Sequence, residues 1–243
     1  MHENLGEQFT IDDMARTAMY SKFHFSRAFQ RVTGVSPGRF LAAIRLQEAK
    51  RLLVSTSLPV TDISHRVGYT SVGTFSSRFR SSVGVSPTTY RQLGGLTPPM
   101  PAAWRGSDAR TSTVRGEIYA SLGDAPGLIC AGLFADRIPQ GAPVRCTMLH
   151  RPGPYVLTDV PSGTWHLLAY SVALDHAGRR EPRRFPAEDQ ALNVASYGPI
   201  TVRAGVPVDE ADLTLRPIGM LDPPVLVALP YIRTVAMNAV EAS

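Results

Sequence analysis

The stretch 20-YSKFHFSRAFQRVTGVSP-37 returns, altered, as 69-YTSVGTFSSRFRSSVGVSP-87. Each copy opens with a serine that can cap a helix, Ser21 or Ser71, and carries phenylalanines four positions apart. Each then breaks at a glycine and restarts at Ser-Pro, an N-cap followed by proline at the first helical position. The pairs Phe25/Phe75, Phe29/Phe79, Gly34/Gly84 and Pro37/Pro87 are all 50 positions apart. A register kept over that distance marks a doubled structural unit.

Ahead of the first copy, Thr10-Ile-Asp-Asp13 has the form of a capping box, with Asp in the place where Glu is commoner. It predicts a short helix from Ile11 to about Ala18, with Ile11, Met14, Ala15 and Ala18 on one face. A tight turn at Met19-Tyr20 leads into a second helix, Ser21 to Val32, with Phe25, Phe29 and Val32 as its buried stripe. Two short helices joined by such a turn make a helix-turn-helix. The second copy runs through Val60, Ile63, Ser64 and Val67, turns at Gly68-Tyr69-Thr70, and continues as a helix from Ser71 to Val83 with Phe75, Phe79 and Val83 as its stripe. Ile11 and Val60 differ by 49 rather than 50, so the second turn is one residue longer. Between the copies, 37-PGRFLAAIRLQEAKRLLVSTSLP-59 predicts one long helix, with Ala42, Leu46, Ala49 and Leu53 as its stripe. Recognition helices held about 34 Å apart can enter successive major grooves on one face of DNA, so a doubled unit reads two adjacent half-sites without a dimer.

Charge points the same way. Through Gly95 the chain has 12 Lys and Arg against 6 Asp and Glu, and beyond it 13 against 14. The excess positive charge lies entirely beside the repeat, where it favours a polyanionic partner.

Residues 5–91 resemble the DNA-binding domain of the AraC/XylS family of bacterial transcription regulators. The resemblance is carried by 10-TIDDMA-15, 23-FHFSRAFQRVTGVSP-37, 45-RLQEAKRLL-53, 62-DISHRVGY-69 and 75-FSSRFRSSVGVSPTTYR-91. It implies an all-α double helix-turn-helix whose recognition helices are Ser21–Val32 and Ser71–Val83. Groove-facing positions are then Lys22, Phe23, Ser26 and Arg27 in the first copy and Ser71, Val72, Thr74 and Ser77 in the second. Arg31, Arg45, Arg78, Arg80 and Arg91 are the candidates for phosphate contact. The resemblance also implies RNA polymerase as a partner if the protein is an activator, and it sets Met1 inside the family's first helix, so that either the true start lies upstream or that helix is short. The second copy departs from the family by offering Val72, Gly73, Thr74 and Ser77 where long polar or basic side chains are common. Arg27 can pair bidentately with guanine. Sequence discrimination is therefore expected from the first copy, with the second supplying backbone grip or shape-dependent readout.

The stretch 93–112 is rich in Gly, Pro and Ser and reads as a linker. Beyond it the texture changes to short β-rich runs, such as 127-GLICAGLFA-135, 154-PYVLTDV-160, 164-TWHLLAYSVAL-174 and 212-DLTLR-216, about eight in all. The expected organisation is α then β: a DNA-binding domain over 1–93, a linker over 94–111 and an all-β sandwich over 112–234. Short turn-and-strand phrases at 160–171 and 201–215 are similar to prealbumin-like or carboxypeptidase-regulatory-like sandwiches. This half would bind a small-molecule effector or mediate assembly; the alternative is a promoter-targeted adaptor whose sandwich holds a protein partner. Strand alternation places Trp165 and Leu167 on one face and His166 and Leu168 on the other, which makes core packing the default for the Trp165/Tyr155/Tyr170 group. The basic run 179-RREPRRF-185 reads as a solvated loop.

No catalytic motif, cofactor signature or metal-ligand spacing stands out, so an enzyme is not expected. Cys130 and Cys146 read as thiols of a reducing compartment, no apolar run is long enough to span a membrane, and no secretory signal opens the chain. A cytoplasmic protein, with oligomerisation allowed but not required, fits these features.

Overall fold

A computed structural model of the chain describes residues 10–95, 111–120, 127–172 and 192–227. The stretch read as a linker lies outside the described residues apart from its ends, as does the basic run 179–185. The chain divides into two compact units. One comprises Met1–Thr97 with Ile138–Gly141 and Met220–Ala228; the other comprises Pro98–Arg137, Ala142–Gly219 and Leu229–Ser243.

The described part of the first unit contains six helices: α1 Ile11–Thr17, α2 Lys22–Thr33, α3 Pro37–Ser55, α4 Val60–Arg66, α5 Val72–Val83 and α6 Pro87–Gln92. Their limits follow from local chemistry. Thr10 accepts from the Asp13 amide at 3.2 Å while the Asp13 carboxylate accepts from the Thr10 amide at 2.9 Å, which completes the capping box. A third bond, donated by the Thr10 hydroxyl to the Asp13 carboxylate at 2.6 Å, together with the bond from the Thr10 amide, holds the Asp13 carboxyl below its usual pKa. Ser21 and Ser71 cap α2 and α5 by accepting from the amides of His24 and Thr74. Gly34 and Gly84 close both helices in the left-handed conformation that glycine adopts without steric cost. At Ser36 the expected side-chain cap is not made; Pro37 alone supplies the helical start there. Helices α1 and α4 start 49 residues apart and α2 and α5 start 50 apart, so the second turn is the longer one.

The aromatic core repeats with the sequence. Phe25 packs on Phe29 and Phe29 on Phe40; Phe75 packs on Phe79 and Phe79 on Tyr90. In α5 both phenylalanines are fully buried, whereas Phe25 and Phe29 in α2 are half-buried. One stripe position differs from the sequence expectation. Val32 is 63% exposed, and Thr33, the counterpart of Val83, is buried in its place. The Thr33 hydroxyl donates to the carbonyls of Phe29 or Val35, so a polar residue sits in the core with its hydrogen bonding satisfied.

The second unit is all-β. Seven strands, β1 Thr111–Ala120, β2 Leu128–Phe134, β3 Arg145–Leu149, β4 Gly153–Pro161, β5 Gly163–Val172, β6 Leu192–Val202 and β7 Leu213–Pro217, form one sheet in the order β3-β2-β5-β6-β7-β1-β4. The β1–β7 pair is parallel and the other pairs are antiparallel. Strand β7 divides its length, with Leu213–Leu215 paired to β1 and Arg216–Pro217 paired to β6, and this splits the sheet into two halves facing a common core. The end strands come together where Arg145 of β3 donates to the Thr158 carbonyl of β4 at 3.2 Å. The result is a nearly closed, barrel-like domain. Its core includes Ile118, Ile129, Leu133, Tyr155, Leu167, Val202 and Leu213. Tyr155 is core, its hydroxyl donating to the Ala211 carbonyl, and Trp165 packs at the margin with its indole N–H on the Pro161 carbonyl. A bulge between Trp165 and Leu167 breaks the alternation expected there, and Leu167 and Leu168 are both buried.

Candidate nucleic-acid interface

Helix α2 separates its residues cleanly. Phe25, Phe29 and Thr33 face inward, while Lys22, Phe23, Arg27 and Arg31 are exposed. Phe23, Arg27 and Arg31 follow one another at four-residue steps, which places them on one face. Phe23 is 66% exposed, and the Arg27 guanidinium lies over its ring, 5.4 Å from the centroid. That stacking restrains a side chain that otherwise samples many rotamers. Lys22 forms an ion pair with Asp12 at 3.0 Å, both side chains more than half exposed, so the pair is weak and open to competition from a phosphate. Ser26 is half-buried between the two faces.

The same positions on α5 carry different chemistry. Fifty residues on from Lys22, Phe23, Arg27 and Arg31 stand Val72, Gly73, Ser77 and Ser81. Ser71, Thr74 and Ser77 are exposed, Val72 is half-buried, and the hydroxyl of Ser81 donates to the Arg78 carbonyl of its own helix. Charge on α5 comes instead from the exposed Arg78 and Arg80. The face at the copied positions is short and uncharged.

Two sequence candidates lie on other helices, Arg45 on α3 and Arg91 on α6. The Arg91 guanidinium donates to the carbonyls of Leu53 and Leu58, where it closes the C-terminal end of α3 and the following loop. Arg45 is half-buried on α3, and its charge, with that of Arg78, opposes the effect of burial in raising the pKa of the Tyr69 hydroxyl. Sequence reasoning did not single out Gln30, exposed on α2, or Lys50, fully buried on α3. A lysine in an amphipathic helix gives no local signal that it will be enclosed.

A family profile described as a helix-turn-helix domain matches residues 14–93. Residues 14–93 are an AraC/XylS-type helix-turn-helix domain. Its relatives include the HTH-type transcriptional activator AarP of Providencia stuartii, 34% identical over 88 residues, which are 36% of this chain and 65% of that protein. They also include the uncharacterized HTH-type transcriptional regulator YobQ of Bacillus subtilis, 34% identical over 91 residues, 37% of this chain and 38% of that protein. The chain thus spans less than two thirds of either relative. The DNA-binding domain of AdpA, solved in complex with a target DNA, is 34% identical and matches 38% of this chain and 83% of that one, with a TM-score of 0.37. These AraC-type matches fall on the α-helical part of the chain. Among the described residues no helix is long and apolar enough to cross a membrane.

Proposed function

We propose that the protein is a sequence-specific, double-stranded-DNA-binding transcription regulator that reads two adjacent major-groove half-sites with α2 and α5. The observation that carries the proposal is the exposed Phe23–Arg27–Arg31 face on α2, repeated in frame but not in chemistry on α5. Lys22, Phe23, Ser26 and Arg27 read bases in the first half-site. Ser71, Val72, Thr74 and Ser77 approach the second without long side chains, so they contribute shape-dependent contact rather than a code. Arg31, Arg78 and Arg80 grip phosphate; Arg45, on α3, shares the neighbourhood of Tyr69 with Arg78, and Arg91 acts on α3 instead. The all-β unit, which has a core of its own, is where we place control by a small molecule.

Selection of bound sequences from a random duplex pool by the full-length protein, at stated salt, tests this reading. One strongly specified half-site with a vaguer neighbour about one helical turn away is the expected product. Enrichment of no sequence above the pool would overturn it. On the selected duplex, Arg27→Ala should cost about 1–3 kcal/mol, the range for one bidentate base contact, with a smaller loss on random duplex.

A further inference from the structure

Two short segments distant in sequence belong to the helical unit. Ile138–Gly141 lies between β2 and β3, and residues 220–227 follow β7. Ile138 and Leu226 are buried, and Val225 and Val227 nearly so. A continuous set of hydrogen bonds runs through them. On α3, Lys50 is 3% exposed and its ammonium donates to the carbonyls of Val225 at 3.2 Å and Leu226 at 3.1 Å. The amides of Leu226 and Val227 both donate to the Pro139 carbonyl, at 2.9 and 3.0 Å. The next residues of that loop then reach the last turn of α5: the Gly141 amide donates to the Ser82 carbonyl at 2.6 Å, and the Ser82 hydroxyl bonds the Gln140 side chain at 3.1 Å. Gly141 has φ +66°, and a Cβ there would come within 3.2 Å of the Ser81 carbonyl, so the loop lies close against the helix end.

The internal repeat supplies the control. Ser82 is 7% exposed, whereas its counterpart Val32, at the same place on α2, is 63% exposed. Among the described residues the hydrogen bonds of these segments reach α5 and not α2. An exposed valine stands at this place on α2, and a serine, able to bond the loop, stands where the contact forms on α5.

We propose that Ile138–Gly141 and residues 220–227 form a strap, latched by Lys50, through which the second half of the chain holds the second recognition helix, and only that one. The strap ties α3, which sets the separation of the two helix-turn-helices, to the C-terminal turn of α5. Both strap segments are continuous in chain with β strands. A change of state in the β domain therefore reaches the second half-site reader through covalent connection, and leaves α2 unaffected. This rests on the DNA-reading proposal above for its consequence, but not for the strap itself.

The test uses the full chain with Leu226→Asp, which puts a charge where Leu226 is fully buried. Amide hydrogen exchange is followed over 220–227, over the last turn of α5 and over the last turn of α2. Faster exchange in the first two with α2 unchanged is expected; release of 220–227 with α5 unchanged would overturn the strap. Affinity is then measured for a duplex spanning both half-sites and for one shortened to the first. The variant should lose about tenfold on the long duplex, an ordinary coupling, and less than about twofold on the short one. Equal loss on both duplexes, or none on either with the strap released, refutes selective control of the second reader. If Leu226→Asp does not fold, the double variant Ser82→Ala, Gln140→Ala removes one link of the chain and should move both readouts in the same direction by about two- to threefold; no movement in either would count against the strap. A wild type that binds neither duplex would sink the DNA-reading proposal and leave the exchange result to decide the strap alone.

Discussion

Met19 and Gly68 occupy the same place in the two turns. In the first, the Met19 amide donates to Arg16 and the Tyr20 amide to Ala15; in the second, Gly68 donates to His65 and Tyr69 to Ser64. Both positions are left-handed, with φ 56° at Met19 and 84° at Gly68. A side chain at such a backbone costs about 1–2 kcal/mol, and glycine gives back part of that through its larger unfolded-state entropy. Because the Met19 side chain is 92% exposed, little packing is lost on its removal. Met19→Gly should therefore stabilise the domain by about 0.5–1 kcal/mol in chemical denaturation, and a loss of stability would refute the strain. Lys50 gives a second residue-scale prediction. Burial lowers its pKa to about 7, so between that pH and the ordinary lysine range the unfolded chain binds a proton that the folded one does not. Stability from this group is then full above the unfolded pKa and is lost as pH falls through the folded one. From pH ~7 to ~8.5 the stability should rise, with a slope approaching about 1.4 kcal/mol per pH unit for one proton. Cys130, whose thiol burial pushes up to about 12, acts in the opposite sense only above the ordinary thiol range. Unfolding curves across that window should show the rise in wild type and a flat profile in Lys50→Met.

The helices α2 and α5 are one design in two environments, which allows a matched comparison. Phe79 is fully buried between Phe75 and Tyr90, while Phe29, between Phe25 and Phe40, is half-buried. Phe79→Ala should cost about 3–5 kcal/mol and Phe29→Ala distinctly less, since the loss scales with the surface removed from water and the cavity left behind. Equal losses in thermal or denaturant unfolding would contradict the half-buried environment of Phe29. The same pair of helices marks what was legible in the sequence. Starts and stops could be read because their causes are local: Thr10 and Asp13, Ser21, Ser71, Gly34 and Gly84 act within a few residues. The inward face of α2 was misread at one position because an apolar Val32 beside a polar Thr33 outweighed the register, although Val83 in the other copy already pointed to position 33. The chemistry of Arg91 was likewise hidden, because its partners Leu53 and Leu58 are more than thirty residues away.

At the scale of the whole chain the division into an α-helical and a β part was readable, since periodicity changes character across the Gly/Pro-rich stretch. The strand order was not. Ile118 pairs with Leu213 and Val114 bridges Val208, and no local pattern specifies partners so far apart. The same holds for the strap, whose Lys50–Val225 contact joins residues 175 positions apart. Charge is the property that acts over this range, and it leads to a prediction for the whole molecule. The excess of positive residues lies in the first 95 positions, and Arg31, Arg78 and Arg80 are exposed on the recognition helices. Each phosphate neutralised by such a residue adds about 0.9 to the slope of log affinity against log salt. Arg80→Ala should therefore lower the slope by about one on preferred and random duplexes alike, and weaken both by the same factor. Arg27→Ala should separate the two duplexes instead, because a base contact is present on only one of them. Titrations of both variants on both duplexes, between 50 and 200 mM salt, distinguish the two kinds of contact, with that range set by where counterion release is readily measured. An Arg80 variant whose slope is unchanged would remove Arg80 from the phosphate-contacting set. If Arg78→Ala then lowered the slope, the grip of α5 on the backbone would belong to Arg78, whose charge acts on Tyr69 in the turn before the helix.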